Sequence, residues 1–235
     1  YDGTSLCGWQ VQNNERTVQG DIESALKKIF KNQKINLIGS GRTDSGVHAL
    51  GQVANVKLDS NMSMKEFINA INGNISNDIN ILDCDEVNLD FNARFSAIKR
   101  EYEYRILNKY SPIYRKYVWH IKERLNLDEL NKCAKLVLGE HDFTFLSKKN
   151  NEIKNKICMI YTSHWENECD QLIYNIAGNR FLHHMVRYLV GMMIEIVNNK
   201  TISIGDFKNM LERKDRKTLY KAPAKGLYLK NVYYN

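Results

Sequence analysis

One glycine-rich segment of the chain holds residue types that could do chemistry. It covers residues 39–48, reads G-S-G-R-T-D-S-G-V-H, and separates two stretches with the composition of strands. Glycines allow unusual backbone angles and close approach of a ligand, and loops on a rigid sheet often hold active sites. Arg42 could hold the carboxylate of Asp44 ionised, or could bind a phosphate. An ordinary turn with a solvated Asp–Arg pair would have the same composition.

Six stretches of the chain, in order, resemble the motifs of one protein family. The segment G-R-T-D-S-G-V-H-A at residues 41–49 is similar to the G-R-T-D-A-G-V-H-A signature of the TruA family of tRNA pseudouridine synthases. The other five are Y-D-G with G-W-Q (1–3 and 8–10), F-N-A-R-F-S-A (91–97), R-E-Y-E-Y (100–104), F-L-H-H-M-V-R (181–187), and A-P-A with G-L-Y-L (222–224 and 226–229). Two positions depart from the family pattern. Ser45 replaces an alanine, and Glu101 stands where many members have a basic residue.

The resemblance implies a reaction and roles for five residues. Family members isomerise uridine to pseudouridine in the anticodon stem-loop of tRNA, at positions 38–40. Asp44 is then the catalytic nucleophile on a flipped uridine, because positive character develops at ribose C1′ as the bond to N1 breaks. The sequence leaves open whether its carboxylate attacks C1′ covalently or assists elimination. Tyr102 matches the position that contacts the extruded base, for which an aromatic ring is a suitable platform. Arg42 and Arg94 are the expected phosphate or carboxylate partners, and Leu227 is expected to pack under the base.

The same resemblance predicts the partners and the setting of the protein. tRNA is the substrate, the protein is a cytoplasmic homodimer, and neither a cofactor nor a metal ion takes part. The neighbours His183 and His184 do not change that expectation, because adjacent helix positions point about 100° apart and chelate poorly. The most apolar segment, residues 181–197, also contains Arg187 and Glu195, which predicts a buried helix and no membrane span.

Charge and cysteine usage agree with this interpretation. The formal net charge is +7, and residues 208–230 carry eight basic residues against only Glu212 and Asp215. Such an excess predicts phosphate contacts with nucleic acid, although a solvated lysine-rich surface would have the same composition. Five cysteines without a C-x-x-C pair indicate reduced thiols, and they argue against a disulfide framework or a zinc site.

Two other functions remain open at this point. A non-catalytic RNA-binding protein would keep the basic surface and the aromatic residues but would not need Asp44. A hydrolase acting on a glycosidic or phosphodiester bond could pair Asp44 with His48. Such an enzyme usually has a second carboxylate or a metal cluster, and the sequence shows no clear one.

The elements that must position these residues alternate between helical and strand periods. This alternation predicts an α+β fold, and the resemblance implies the pseudouridine synthase arrangement, with two lobes, a largely antiparallel central sheet flanked by helices, and an active-site cleft between the lobes. The expected lobes are residues 1–108, with the Asp44 loop, and 109–235, with the RNA-facing basic segment.

Helices are predicted after Thr17, after Ser63 with a capping box to Glu66, along 127–138 before Gly139, over 180–197 as the longest helix, and from near Ser203. Strands are predicted at 35–37, 53–58, 102–107, 172–176 and 227–232.

Overall fold

The computed structural model describes residues 1–149, 151–199 and 201–235, which form two compact units. Unit 1 comprises Tyr1–Ala97 with Tyr234–Asn235, and unit 2 comprises Ile98–Tyr233. The predicted lobe boundary between residues 108 and 109 lies just after the first strand of unit 2. The division into a catalytic lobe and an RNA-facing lobe stays a prediction. Helices combined with mainly antiparallel strands confirm the predicted α+β class.

Two amphipathic helices form one side of unit 1. Helix α1 (Val18–Ile29) begins at the predicted N-cap Thr17, whose hydroxyl accepts a hydrogen bond from a backbone amide of the first turn. Helix α2 (Met64–Asn72) begins with the predicted capping box, in which the side chains of Ser63 and Glu66 each bond the other's backbone amide. Both helices turn apolar residues into the core of unit 1, which includes Leu6, Trp9, Val18, Ile22, Ala25, Leu26 and Ile71.

Short strands carry the glycine-rich loop of unit 1. Strand β1 (Ile38–Gly39) pairs antiparallel with β3 (Ala54–Asn55), and β2 (His48–Ala49) lies between them in the sequence. The strand predicted at 53–58 is present but shorter, as β3. The strand predicted at 35–37 is wrong in position, because regular strand begins only at Ile38. The loop itself spans residues 40–47, so both of its ends leave from regular backbone.

A larger sheet dominates unit 2. Its strands are β4 (Lys99–Leu107), β5 (Trp119–His120), β6 (Gly139–Asp142), β7 (Ile157–Glu168), β8 (Gln171–Gly178) and β9 (Leu227–Tyr233). They run in the order β9–β4–β8–β7–β6 with antiparallel neighbours, while the short β5 pairs in parallel with the end of β4. The predicted strands β4, β8 and β9 are confirmed. Strands β5, β6 and β7 were not predicted.

Three α-helices belong to the described part of unit 2, and the first two pack against this sheet. They are α3 (Leu127–Lys135), α4 (Met185–Ile194) continued by a π-helical turn (Glu195–Asn199), and α5 (Ile204–Leu211). The hydroxyl of Ser163 on β7 donates to the backbone oxygen of Ala134 on α3 at 2.9 Å. The indole Nε1 of Trp165 lies 3.2 Å from Sδ of Met193 on α4. Within the described ranges, no helix combines the length and apolar character that a membrane span requires.

Two predicted helix boundaries are wrong. Helix α4 begins at Met185 and not at Arg180, because His184 adopts a left-handed φ of +64° that interrupts regular helix before it. Helix α3 ends at Lys135, before the predicted end at residue 138. Gly139 has a φ of +91° and starts β6, so it does mark a change of direction, but at the start of the next strand.

Candidate active site

Asp44 opens a tight turn of the glycine-rich loop. The amide of Val47 donates a hydrogen bond to the backbone oxygen of Asp44 at 3.1 Å, which closes a four-residue turn. Gly46, the third residue of that turn, has a φ of +77°, a left-handed value that favours glycine. Thr43 and Val47 are buried, whereas Asp44 is half-buried. The turn therefore fixes the backbone of Asp44 and leaves part of the residue accessible.

Residues 6–9 hold this loop from one side. The amide of Trp9 donates to the backbone oxygen of Thr43 at 3.1 Å, and the amide of Gly46 donates to the backbone oxygen of Leu6 at 3.3 Å. Between these two contacts lies Gly8, with a φ of +82°. The motif near the start of the chain thus serves to fix the backbone around Asp44.

Gln52 fastens the beginning of the loop. Its Oε1 accepts a hydrogen bond from the Ser40 hydroxyl at 2.7 Å, and its Nε2 donates to the backbone oxygen of Gly41 at 3.1 Å. The hydroxyl of Tyr1 bonds the Thr43 hydroxyl at 2.8 Å, and burial raises the pKa of Tyr1 to about 12. No signal in the sequence pointed to Gln52, and Tyr1 was marked only as part of the motif at residues 1–3, without this contact to Thr43.

His48 is tied to the first residues of the chain. Its ring is buried, and Nδ1 lies 3.1 Å from the amide nitrogen of Gly3 and 3.1 Å from a carboxylate oxygen of Asp2. A Cβ built on Gly3 would lie 2.0 Å from the backbone oxygen of Val47, so only glycine allows this approach. These contacts give His48 a structural role at one ring nitrogen, and they offer no support for a hydrolase that pairs His48 with Asp44.

Arg42 and Arg94, the two arginines predicted for the site, are exposed on the surface of unit 1. Arg42 lies two residues before Asp44, and its exposure suits a phosphate ligand. Arg94 lies within a turn in which Oδ1 of Asn92 accepts hydrogen bonds from the amides of Arg94 and Phe95, at 3.0 and 3.1 Å. The Asn55 side chain fastens the same turn through the amide of Ala93 at 2.8 Å. Asn92 and Asn55 therefore preorganise the turn that presents Arg94.

Tyr102 and Leu227 lie on neighbouring strands of unit 2. Tyr102 of β4 is opposite Leu229 of β9 and Tyr104 is opposite Leu227, so Tyr102 and Leu227 are diagonal neighbours on one face of the sheet. The ring of Tyr102 meets the ring of Phe181 edge-on, with centroids 5.1 Å apart. Three of the motifs seen in the sequence therefore converge in unit 2.

Hydrogen bonds join two of these motifs to the segment 222–224. Nε of the buried Arg187 donates to the backbone oxygen of Ala222 at 2.9 Å, and the hydroxyl of Tyr104 donates to the backbone oxygen of Pro223 at 2.8 Å. The sequence offered a signal for the first contact, because an arginine within an apolar helix must find a polar partner. It offered no indication of which segment supplies that partner.

The predicted site residues are thus divided between the units. Asp44, Arg42 and Arg94 belong to unit 1, where they lie on turns fixed by neighbouring side chains and backbone. Tyr102 and Leu227 belong to unit 2 and share one sheet face.

The basic segment, residues 208–230, is partly neutralised within unit 2. It runs from α5 through irregular backbone into β9, so it does not form a single helix face. Its ion pairs are Lys208–Glu212, Lys214–Glu212, Lys217–Asp206, Lys217–Asp215, Arg213–Asp142 and Lys230–Glu103. Phosphate contacts by this segment stay a prediction. A phosphate would compete with these carboxylates for the same lysine and arginine side chains.

The two departures from the motif pattern have local explanations. The carboxylate of Glu101 lies 3.0 Å from Nζ of Lys99 and accepts a hydrogen bond from the Tyr233 hydroxyl at 2.8 Å. Burial alone would raise the pKa of Glu101, but the hydrogen bonds from Lys99 and Tyr233 outweigh it and lower that pKa below its usual range. The hydroxyl of Ser45 donates to the backbone oxygen of Leu6 at 3.4 Å. Both residues therefore serve contacts inside their own unit.

Comparison with known proteins extends the similarity to the whole chain. A family model described as tRNA pseudouridine synthase matches residues 1–96 and 133–235. A protein named tRNA pseudouridine synthase A from Bacillus pumilus (strain SAFR-032) is 39% identical over 239 residues, which cover 100% of this chain and 96% of the relative. Proteins of the same name from Caldicellulosiruptor saccharolyticus and Bacillus subtilis (strain 168) are 41% and 38% identical, with the same coverage.

Proposed function

Because this chain belongs to the tRNA pseudouridine synthase family, we propose that it converts uridine to pseudouridine in the anticodon stem-loop of tRNA, at positions 38–40. The reaction is an isomerisation. The bond from ribose C1′ to uracil N1 breaks, a bond from C1′ to C5 forms, C5 loses its proton, and N1 gains one. Nothing is oxidised or reduced, and no group leaves the nucleotide.

We assign Asp44 as the catalytic carboxylate. The observation that supports this most directly is its half-buried position in a turn closed by Val47 and fastened by residues 6–9, inside the motif that carries the family resemblance. A carboxylate suits the reaction because it can stabilise positive charge at C1′, attack that carbon, or assist elimination. A rigid backbone keeps such a group aligned with the reacting atom.

The remaining site residues are assigned by their chemistry. The Tyr102 ring is the contact for the extruded uracil, and Leu227 beside it supplies apolar surface under the base. Arg42 and Arg94 are cations on fixed turns, and we assign them phosphate contacts that hold the flipped nucleotide. None of these roles requires a metal ion or an organic cofactor.

Nucleotide-resolved mapping of pseudouridine on unmodified tRNA transcripts tests the proposal. Wild type, Asp44→Asn and the control Asp59→Asn would be compared, since Asp59 is also in unit 1 and its side chain is exposed. We expect wild type and Asp59→Asn to convert uridines at positions 38–40, and Asp44→Asn to bind tRNA without converting it. Conversion by Asp44→Asn at the wild-type rate would remove Asp44 from the mechanism. Binding without conversion by wild type would favour the non-catalytic RNA-binding protein.

We further propose that the enzyme is a cytoplasmic homodimer. Unit 1 has strongly exposed apolar side chains, among them Leu82 at 74% and Leu89 at 81% exposure. Exposed apolar surface often marks a protein contact, so these side chains favour an interface between subunits. We expect sedimentation at micromolar concentration to give twice the monomer mass of 27.4 kDa. A fully active monomer at that concentration would contradict the dimer.

A further inference from the structure

One loop of unit 2 carries exposed aromatic side chains that the family motifs do not use. It spans residues 109–117, between β4 and β5, and with Lys122 it is called the tyrosine surface here. Tyr110 is 64% exposed and Tyr114 is 48% exposed. The surface lies in residues 97–132, between the two stretches that the family model matches. Burial of a large aromatic ring is energetically favourable, so a group of exposed rings often marks a binding site.

Basic residues accompany these rings. Residues 106–124 contain five basic residues (Lys109, Arg115, Lys116, Lys122 and Arg124) and one acidic residue, Glu123, so this stretch has a formal charge of +4. Within the described ranges, Lys109, Arg115 and Lys122 form no ion pair with a carboxylate, whereas several cations of the basic segment do. These three cations are exposed, so the tyrosine surface keeps its positive charge available.

The loop is held in place from beneath. Nζ of Lys225 donates to the backbone oxygen of Arg115 at 2.8 Å, and the hydroxyl of Tyr228 donates to the backbone oxygen of Tyr117 at 2.7 Å. The ring of Tyr110 packs edge-on against His120 of β5, with centroids 5.5 Å apart. A loop ordered in this way loses less conformational entropy when it binds a ligand.

We propose that the tyrosine surface is a further tRNA contact, in which Lys109, Arg115 and Lys122 hold phosphates and Tyr110 and Tyr114 stack on unpaired bases. Aromatic rings set among cations are the usual platform for single-stranded nucleic acid. The inference rests on the proposed function, which makes tRNA the substrate. A second copy of this chain is a poorer occupant of this surface, because a symmetric contact would place the basic residues of 106–124 against their own copies, and like charges oppose association.

The test of the rings is tRNA affinity in matched variants of the full chain. The variant Tyr110→Ala/Tyr114→Ala would be compared with Tyr161→Ala, because Tyr161 on β7 is 49% exposed. Fluorescence anisotropy with a labelled, unmodified tRNA transcript would give the dissociation constant, and circular dichroism would confirm folding. We expect the double variant to raise Kd about tenfold or more, and Tyr161→Ala to leave it within about twofold of wild type.

The test of the cations is salt dependence. A plot of the logarithm of the tRNA association constant against the logarithm of salt concentration has a negative slope. For the variant Lys109→Gln/Arg115→Gln/Lys122→Gln the magnitude of this slope should be smaller by about two to three, roughly one for each lost phosphate contact. The control Lys132→Gln/Lys135→Gln/Lys154→Gln removes the same charge from exposed positions of unit 2 and should retain the wild-type slope. An unchanged Kd in the tyrosine variant, or equal slopes in the two triple variants, would overturn the inference.

The outcomes also separate this inference from the proposed function. If wild type forms no pseudouridine but the tyrosine variant loses tRNA binding, the proposed function fails and the tRNA contact stands. If wild type modifies tRNA and the tyrosine variant binds it with unchanged Kd, only the contact fails. Sedimentation completes the test, because a variant that loses both dimerisation and tRNA binding would identify the surface as an interface between copies and overturn the RNA contact.

Discussion

Gly8 approaches Thr43 so closely that a Cβ built on Gly8 would lie 2.5 Å from the backbone oxygen of Thr43. The φ of Gly8 is also +82°, which an alanine adopts only with strain. We expect Gly8→Ala to displace the loop around Asp44, to lower the free energy of unfolding by about 1–3 kcal/mol, and to lower the rate of pseudouridine formation at least tenfold. Urea unfolding and single-turnover assays on tRNA measure the two effects.

Gly41→Ala is the matched control for the unfolding measurement. A Cβ on Gly41 meets nothing within 4 Å, so this substitution in the same loop should leave the free energy of unfolding within about 0.5 kcal/mol of wild type. Equal stability of Gly8→Ala and Gly41→Ala would show that the close approach of Gly8 to Thr43 does not constrain the loop.

Substitution of Gln52 should affect the rate of catalysis more than the stability of the protein. Its amide joins Ser40 to Gly41 at the start of the loop, so Gln52→Ala should loosen the backbone that leads to Asp44. We expect the single-turnover rate to fall about tenfold, because small misplacements of a catalytic group are costly, while Kd for tRNA changes little.

Gln33→Ala is the control for Gln52→Ala. Gln33 bonds both the amide and the backbone oxygen of Asp59, so its loss removes a similar side-chain clamp in the same unit. We expect Gln33→Ala to keep the wild-type single-turnover rate. If both variants lose the same fraction of activity, the effect of Gln52 is general destabilisation and not positioning of the loop.

The sequence predicted the parts of the fold that depend on local chemistry. The N-cap Thr17 and the capping box of Ser63 and Glu66 are short-range arrangements, so the pattern alone locates both helix starts. The start of α4 was wrong because a left-handed φ at His184 is set by tertiary context. The two-residue β5 was missed because so short a strand has no visible period.

The candidate site shows the same limit. The turn residues Asp44 and Gly46 were evident from residue types within one segment, and the wider resemblance pointed to Tyr102 and Leu227. The supports of that segment were not evident, because Gln52 and Gly8 act through contacts to residues 11 and 35 positions away in the sequence. Contacts of this kind depend on how the chain folds back, which composition and periodicity do not encode.

Arg187 supplies a prediction about the stability of unit 2. Its buried Nε donates to the backbone oxygen of Ala222, so Arg187→Met would leave that oxygen without this donor and should lower the free energy of unfolding by about 1–3 kcal/mol. Urea denaturation measures the change. The exposed Arg124 is the control, and Arg124→Met should stay within about 0.5 kcal/mol of wild type. Equal losses in the two variants would argue against a structural role for the Arg187–Ala222 contact.

Two buried thiols predict how stability depends on alkaline pH. Burial raises the pKa of both Cys133 and Cys158 from 9.0 to about 11. The folded state therefore keeps these protons after the unfolded chain has begun to lose them. The stabilisation is complete below pH 9 and is lost as the pH rises to about 11, by at most ~1.4 kcal/mol per pH unit for each thiol.

The variant Cys133→Ala/Cys158→Ala isolates this contribution from that of other groups that titrate in the same range. Urea unfolding under reducing conditions at several values between pH 8 and pH 11 should show a shallower decline in the free energy of unfolding for the double variant than for wild type. Cys169→Ala removes an exposed thiol and should reproduce the wild-type decline. Parallel curves for wild type and the double variant would mean that the two thiols ionise alike in the folded and unfolded chain.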